Sequence, residues 1–304
     1  DCAQLRHKDQ VNIRVYNPNY EEHQWYTSHT IVDIACDDKA FLVSSITNAL
    51  VQLGHTIHIT THPVVAIERD NKGQITNISP FTGKADRANL EAIMRFEIDQ
   101  QNDPDAVTKI VTSLTEIISD VRLVVDDWLP MRDKLVSIIN TFETQNLPVA
   151  AENLAENIAF LRWVADSHFT FIGYRSYALK KDAVTGLCLL TPQKGTGLGS
   201  FRDHNCSIES LLPKTLSPRN SDLALRKNML VMTKSTSRST VHRPVNFDYL
   251  GLKRFDSQGN VIGEERFFGL YSSAAYTARI DEMIFWRDIP NVSPWEFFNI
   301  SFLP

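Results

Sequence analysis

No stretch of this chain reaches the roughly 20 consecutive apolar residues that cross a bilayer, and the opening "DCAQLRHKDQ" lacks a basic start followed by an apolar core. Neither a membrane span nor a secretion leader is expected. Cysteine is scarce: Cys2, Cys36, Cys188 and Cys206 lie far apart and form no C-x-x-C pair. That spacing excludes a disulfide scaffold or zinc knuckle and fits a reducing, cytoplasmic setting. There is no block of like charge, and the formal net charge is only -5, so nucleic acid finds no basic footprint. Serines, histidines and aspartates occur without a G-x-S-x-G elbow, so no Ser-His-Asp order is supported.

What remains is a chain of 304 residues, 43% of them hydrophobic. That is enough for a real core, and the length points to two domains. The opening at Asp1 without a methionine and the apolar end "WEFFNISFLP" read as the limits of a fragment.

From residue 29 the pattern is α+β. "HTIVDIAC" alternates Thr30, Val32, Ile34 and Cys36 on one face. "DDKAFLVSSITNALVQLG" then takes helical spacing through Leu42, Ile46, Ala49 or Leu50, and Leu53. Asp37 or Asp38 is placed to cap this helix, and Gly54 to end it. "HTIHITTHPVVAIERD" alternates Ile57, Ile59, Val65 and Ile67, "DNKG" turns it into "QITNIS", and "EAIMRFEIDQ" puts Ala92, Met94, Phe96 and Ile98 on one side. From Asp103-Pro104 a helix carries one apolar stripe through Val107, Ile110, Val111, Leu114, Ile117 or Ile118, Val121 and Val124 to Trp128. Pro130 is expected to break or kink it, and another helix opens at Pro148. Strands return at "HFTFIGYRSYAL", "GLCLLTP" and "KNMLVMTKSTSRSTV", followed by the hairpin "NFDYLGLKRF", "DSQGN", "VIGEERFFGLYSS".

Three stretches invite chemistry. "TPQKGTGLGSFRD" holds three glycines, Gly195, Gly197 and Gly199, but lacks a third glycine at dinucleotide spacing and offers only a short helix around Ser207 to Leu212 afterwards. It reads as a bend. His55, His58 and His62 have metal-like spacing, yet on a strand His58 and His62 stand roughly 13 Å apart, too far to share an ion. In "TKSTSRSTVHRPV", Lys234, Arg238, His242 and Arg243 could hold a phosphate or carboxylate. A solvated strand ended by Pro244 explains the same residues, with Lys234, Thr236, Arg238, Thr240 and His242 on one face. Asp37 and Asp38, at a strand-to-helix turn, fit capping. The same turn could hold a small zwitterion, its amine near the carboxylates and its carboxylate on free backbone N–H groups.

"IVDIACDDKAFLVSSITNALVQLGHTIHITTHPVVAIERDNKGQI", "ENIAFLRWVADSHFTFIGYRSYAL", "KGTGLGSFRD" and "STSRSTVHRPVNFDYLGLKRFDSQGNVIGEERFFGLYSSAAY" together resemble the N-terminal region of the large bacterial NAD-specific glutamate dehydrogenases. The resemblance implies ACT-type βαββαβ units, which in other enzymes pair and bind amino acids. The implied fold is two ACT-like α/β sandwich domains, antiparallel sheets with helices on one face, joined by a helical segment. On that reading residues 1–28 are an extension, 29–102 a first ACT-like domain, 103–166 a helical connector, 167–278 a second, divergent unit and 279–304 an atypical tail.

The resemblance also implies that glutamate oxidation with NAD belongs to a downstream Rossmann region, so no NAD or metal site is expected in this chain. The implied partners are the catalytic region of the same polypeptide, further copies in a homo-oligomer, and an amino-acid effector at the turn of Asp37, Asp38, Lys39 and Phe41. Lys234, Arg238, His242 and Arg243 stand as an interface or anion contact. The rival readings are a stand-alone ACT-type amino-acid sensor and an enzyme with its own site around Arg238 and His242.

Overall fold

The computed structural model describes residues 2–81, 89–203 and 211–277, which fall into two compact units: 2–122 with 240–244, and 123–239 with 245–277. The tail 279–304, and most of the short helix expected around Ser207 to Leu212, lie outside the described residues. Both units are α+β, each an antiparallel sheet with helices, as expected for ACT-like sandwiches. Among the described residues no helix is long and apolar enough to cross a membrane.

The first unit contains β1 (Asn12–Tyr16), α1 (Tyr20–His23), β2 (His29–Asp37), α2 (Leu42–Gln52), β3 (Ile57–Thr61), β4 (Val64–Arg69), β5 (Ile75–Pro80), β6 (Leu90–Asp99) and α3 (Pro104–Asp126) as far as Arg122. The sheet order is β1-β2-β6-β4-β5, with β3 also on β6, all antiparallel. Among the described residues no strand follows α3 in this sheet. The position beside β2 is taken instead by β1, from the beginning of the chain, so a βαββαβ unit is closed from its N-terminal side.

The period-two reading of β6 holds: Ala92, Met94, Phe96 and Ile98 are buried. In β2 it is incomplete. Ile31 and Ala35 are as buried as Val32 and Ile34, so this strand, which lies between β1 and β6, carries buried residues on both faces. On the helices, Leu42, Ile46, Ala49 and Leu50 of α2, and Ile110, Leu114, Ile118 and Val121 of α3, are buried, each worth roughly 1.5–3 kcal/mol for the larger side chains. The Asp103 carboxylate accepts the Asp105 N–H (3.0 Å) and Pro104 occupies the first helical position, where a missing N–H costs nothing. Gly54, at φ 92°, ends α2 as expected, and the His55 N–H returns to the Leu50 carbonyl at 3.0 Å.

The second unit contains α4 (Trp128–Thr144), α5 (Ala151–Trp163), β7 (Phe169–Lys181), β8 (Cys188–Pro192), β9 (Leu198–Gly199), β10 (Lys214–Thr215), α6 (Pro218–Leu225), β11 (Leu230–Arg238), β12 (Asn246–Phe255), β13 (Val261–Tyr271) and α7 (Ser273–Thr277). Its sheet runs β10-β8-β7-β13-β12-β11, with β9 on β7. Met131, Leu135, Ile139 and Phe142 of α4, with Phe160 and Leu161 of α5, share one core with Phe169, Phe171, Leu250, Leu252 and Phe267 of the sheet. The expected hairpin is β12 and β13, its turn fixed by the Asp256 carboxylate, which accepts the N–H groups of Gln258 (2.9 Å) and Asn260 (2.8 Å).

The helix break falls at Asp127, not at Pro130. The Asp127 carboxylate is engaged by the Gly199 N–H (2.7 Å) and by Arg202 Nε (2.6 Å), so the chain is pinned there. Pro130 then falls in the first turn of α4 and disturbs nothing.

Candidate functional site

The turn between β2 and α2 is built differently from the sequence expectation. Asp37 does not cap α2: it ends β2, and its carboxylate accepts from Arg6 Nη2 (2.7 Å) and from the Asp9 N–H (3.1 Å). Asp38 donates its N–H to the Leu90 carbonyl (2.9 Å), prolonging the β2–β6 pairing. The residue at the N-cap is Phe41, at φ 70° and without a side-chain cap. The Phe41 carbonyl accepts from the Ser45 N–H (2.9 Å) and the Ser44 hydroxyl (3.1 Å). Lys39 lies between, half-buried.

Two stretches distant in the sequence meet here. Residues Thr240–Pro244 belong to the first unit. The His242 N–H donates to Ser45 Oγ (2.9 Å), and Asn48 Nδ2 donates to the His242 carbonyl (2.8 Å). The imidazole lies 4.7 Å from the Phe41 ring, tilted by 40°. His242, like Phe41, has left-handed backbone, φ 68°, which costs a non-glycine residue about 1 kcal/mol or more. Burial, and then the charge of Arg243, hold its imidazole below the ordinary histidine range.

The single polar face expected along "TKSTSRSTVHRP" is therefore divided. β11 ends at Arg238, its register shifts between Lys234 and Arg238, and Thr240 and His242 leave the strand. Lys234 Nζ pairs with Asp248 Oδ1 at 2.5 Å. Arg238 is exposed in the second unit, while His242 and the half-buried Arg243 lie in the first.

Beside Asp37 is a cavity of about 220 Å³ lined by Arg6, Lys8, Ile67, Arg69, Asp70 and Glu91 among others. Glu91, almost wholly buried, accepts from Arg69 Nε (2.7 Å), Arg69 Nη2 (2.8 Å) and Arg6 Nε (3.0 Å). Burial alone would raise its pKa, but these hydrogen bonds outweigh it and hold the carboxyl below the usual range. Arg69 also donates to the carbonyls of Ala3 and Gly73. The four charges thus fasten the N-terminal segment to the sheet. Sequence reasoning missed Arg6, Arg69 and Glu91, because Glu91 shares its face of β6 with Arg95, Glu97 and Asp99 and so does not stand out.

The histidines separate. His58 stacks on His29 at 4.1 Å, and His55 Nδ1 faces Asp99 at 3.8 Å. Among the described residues no group of three or more His, Cys, Asp or Glu is arranged to hold a metal. The glycine run has neither cradle nor following helix in its described part: a Cβ on Gly197 would strike the Phe201 carbonyl, and Leu198 and Gly199 pair with β7.

Residues 1–114 match the family described as "Glutamate dehydrogenase, ACT1 domain". Over this stretch the chain is similar to that domain. Similarity continues past the ACT1 domain: the NAD-specific glutamate dehydrogenase of Pseudomonas aeruginosa is 31% identical over 92% of this chain. That of Halomonas elongata is 32% identical over 87%, and that of Mycobacterium tuberculosis is 23% identical over 83%. The chain spans only 17%, 16% and 14% of the length of these relatives.

Proposed function

We propose that this chain is a noncatalytic regulatory or assembly region, placed toward the N-terminus of a large NAD-dependent glutamate dehydrogenase. The parent reaction is the oxidative deamination of L-glutamate to 2-oxoglutarate with NAD, carried out elsewhere in the polypeptide. The observation that carries the reading is similarity to an ACT1 domain inside a chain that matches less than a fifth of NAD-specific glutamate dehydrogenases. The closed packing around Gly197 favours the absence of an NAD site. The β2–α2 turn, with Asp37, Asp38, Lys39 and Phe41, is the proposed place for an amino-acid effector. The catalytic region and further copies of the chain are its proposed partners, in the cytoplasm.

The experiment is a thermal-shift and calorimetric series on the pure chain with amino acids and with NAD. An effector that binds only the folded state raises the melting temperature by mass action. An amino acid is expected to do so and to lose affinity in Asp38→Ala. NADH formation from glutamate by the pure chain, or micromolar NAD binding, would overturn the reading.

A further inference from the structure

The segment Thr240–Pro244 is held against α2 and α3 by specific contacts. Val241 has no exposed surface. Thr240 Oγ1 donates to Asp120 Oδ2 at 2.9 Å, and His242 makes the two hydrogen bonds to Ser45 and Asn48 already described. The imidazole is pressed against Phe41, and its Nδ1 is buried without a hydrogen-bond partner among the described residues. Both rings are carried by non-glycine residues in left-handed backbone, an arrangement that persists only where surroundings enforce it.

The charges around this ring are one-sided. At the N-cap and along α2, the side chains of Phe41, Ser45 and Asn48 are uncharged. On α3, Asp120 is engaged by Thr240. On its own segment Arg243 adds a positive charge. Asp38 and Lys39 lie in the turn before α2. A neutral ring fits this place, whereas an imidazolium would bring an unpaired N–H donor and a second positive charge into it.

We propose that His242 is a proton-operated release: acidification below neutrality detaches Thr240–Pro244 from α2 and frees Phe41 at the β2–α2 turn. The docked ring, being harder to protonate than a free one, gives docking its full stability above the free imidazole's value of about 6.5. That stability is lost as the pH falls from there through the docked value. The release concerns the turn to which an effector is assigned above, but it needs neither effector nor parent enzyme, so the two proposals can fail separately.

The test is amide hydrogen exchange on the full 304-residue chain at pH 7.5 and 5.5, corrected for intrinsic rates. Protection of the His242 amide is expected to fall by up to about tenfold at the lower pH, while amides of β6 stay protected. His242→Phe keeps a ring against Phe41 and is expected to abolish that pH dependence. Unchanged His242 protection in the wild type, or an equal fall in His242→Phe, overturns the proposal. Should the variant not fold, the wild-type imidazole is titrated by NMR: a midpoint at or above about 6.5 overturns it equally.

Discussion

Arg6 and Glu91 lie 85 positions apart in the chain, yet the Arg6 Nε donates to Glu91 Oε2 at 3.0 Å and both side chains are almost wholly buried. Removing Arg6 takes a charged donor from both Glu91, which Arg69 still holds, and Asp37, at a cost of about 1–3 kcal/mol. Arg6→Ala is therefore expected to lower the chain's unfolding free energy by that order in a urea titration, and Arg6→Met to do less harm when combined with Glu91→Gln. Because the Glu91 carboxyl is held low in the fold, its contribution is present above its unfolded value of about 4.3 and is lost as the pH falls through the folded one. Acid unfolding followed by circular dichroism should show a shallower loss below about pH 4.3 in Glu91→Gln than in the wild type.

Gly197 separates two meanings of the glycine run. If the run is a packed bend, Gly197→Ala forces a methyl onto the Phe201 carbonyl and lowers stability by about 1–3 kcal/mol. A phosphate cradle would instead lose NAD affinity with little change in melting. Calorimetry on both proteins distinguishes them, and the first outcome is expected.

Lys253 is buried with its ammonium donating to the carbonyls of Leu223 (2.7 Å), Ala224 (2.9 Å) and Arg226 (2.8 Å). It closes the C-terminal end of α6, where a cation also meets the negative end of the helix. Lys253→Met keeps the stem but strands three acceptors, and a loss of about 2–3 kcal/mol is expected. Increased exchange of the last α6 amides, ahead of those in β12, would be the local signature.

Arg238 stands exposed at the end of β11. Exposed charges contribute about 0–1 kcal/mol, so Arg238→Ala should scarcely move the melting temperature of this chain. In a full-length glutamate dehydrogenase the same substitution is expected to weaken activity or assembly. A large melting shift here would identify Arg238 as a structural anchor, and an unaffected parent enzyme would remove the interface role.

Elements whose burial follows from local periodicity were legible: α2 through Leu42, Ile46 and Leu50, β6 through Ala92 to Ile98, and the β12–β13 hairpin through its turn. Where a distant residue intervenes, the local signal misleads. Asp37 looks like a helix cap because its partner Arg6 comes from a segment with no pattern of its own. Asp127, not Pro130, divides the helices because Gly199 and Arg202 claim its carboxylate. β1 was invisible because "NIRVY" is short and half-buried throughout. Phe41 and His242 were each picked out, for turn position and for chemistry. Their meeting was not legible, since the hydrogen bond from the His242 N–H to Ser45 spans 197 positions.

The excursion of Thr240–Pro244 into the first unit also sets a schedule for synthesis. When Arg122 has left the ribosome, the place that Val241 fills on the first unit is still open, and the residue that fills it follows after an interval on the order of ten seconds at 5–20 residues per second. Through that interval the place of Val241 on the nascent first unit stays unfilled. A piece cut at the end of the matched domain would keep that site open permanently, so dissection of this chain should follow its spatial units and not the sequence limits of the domain.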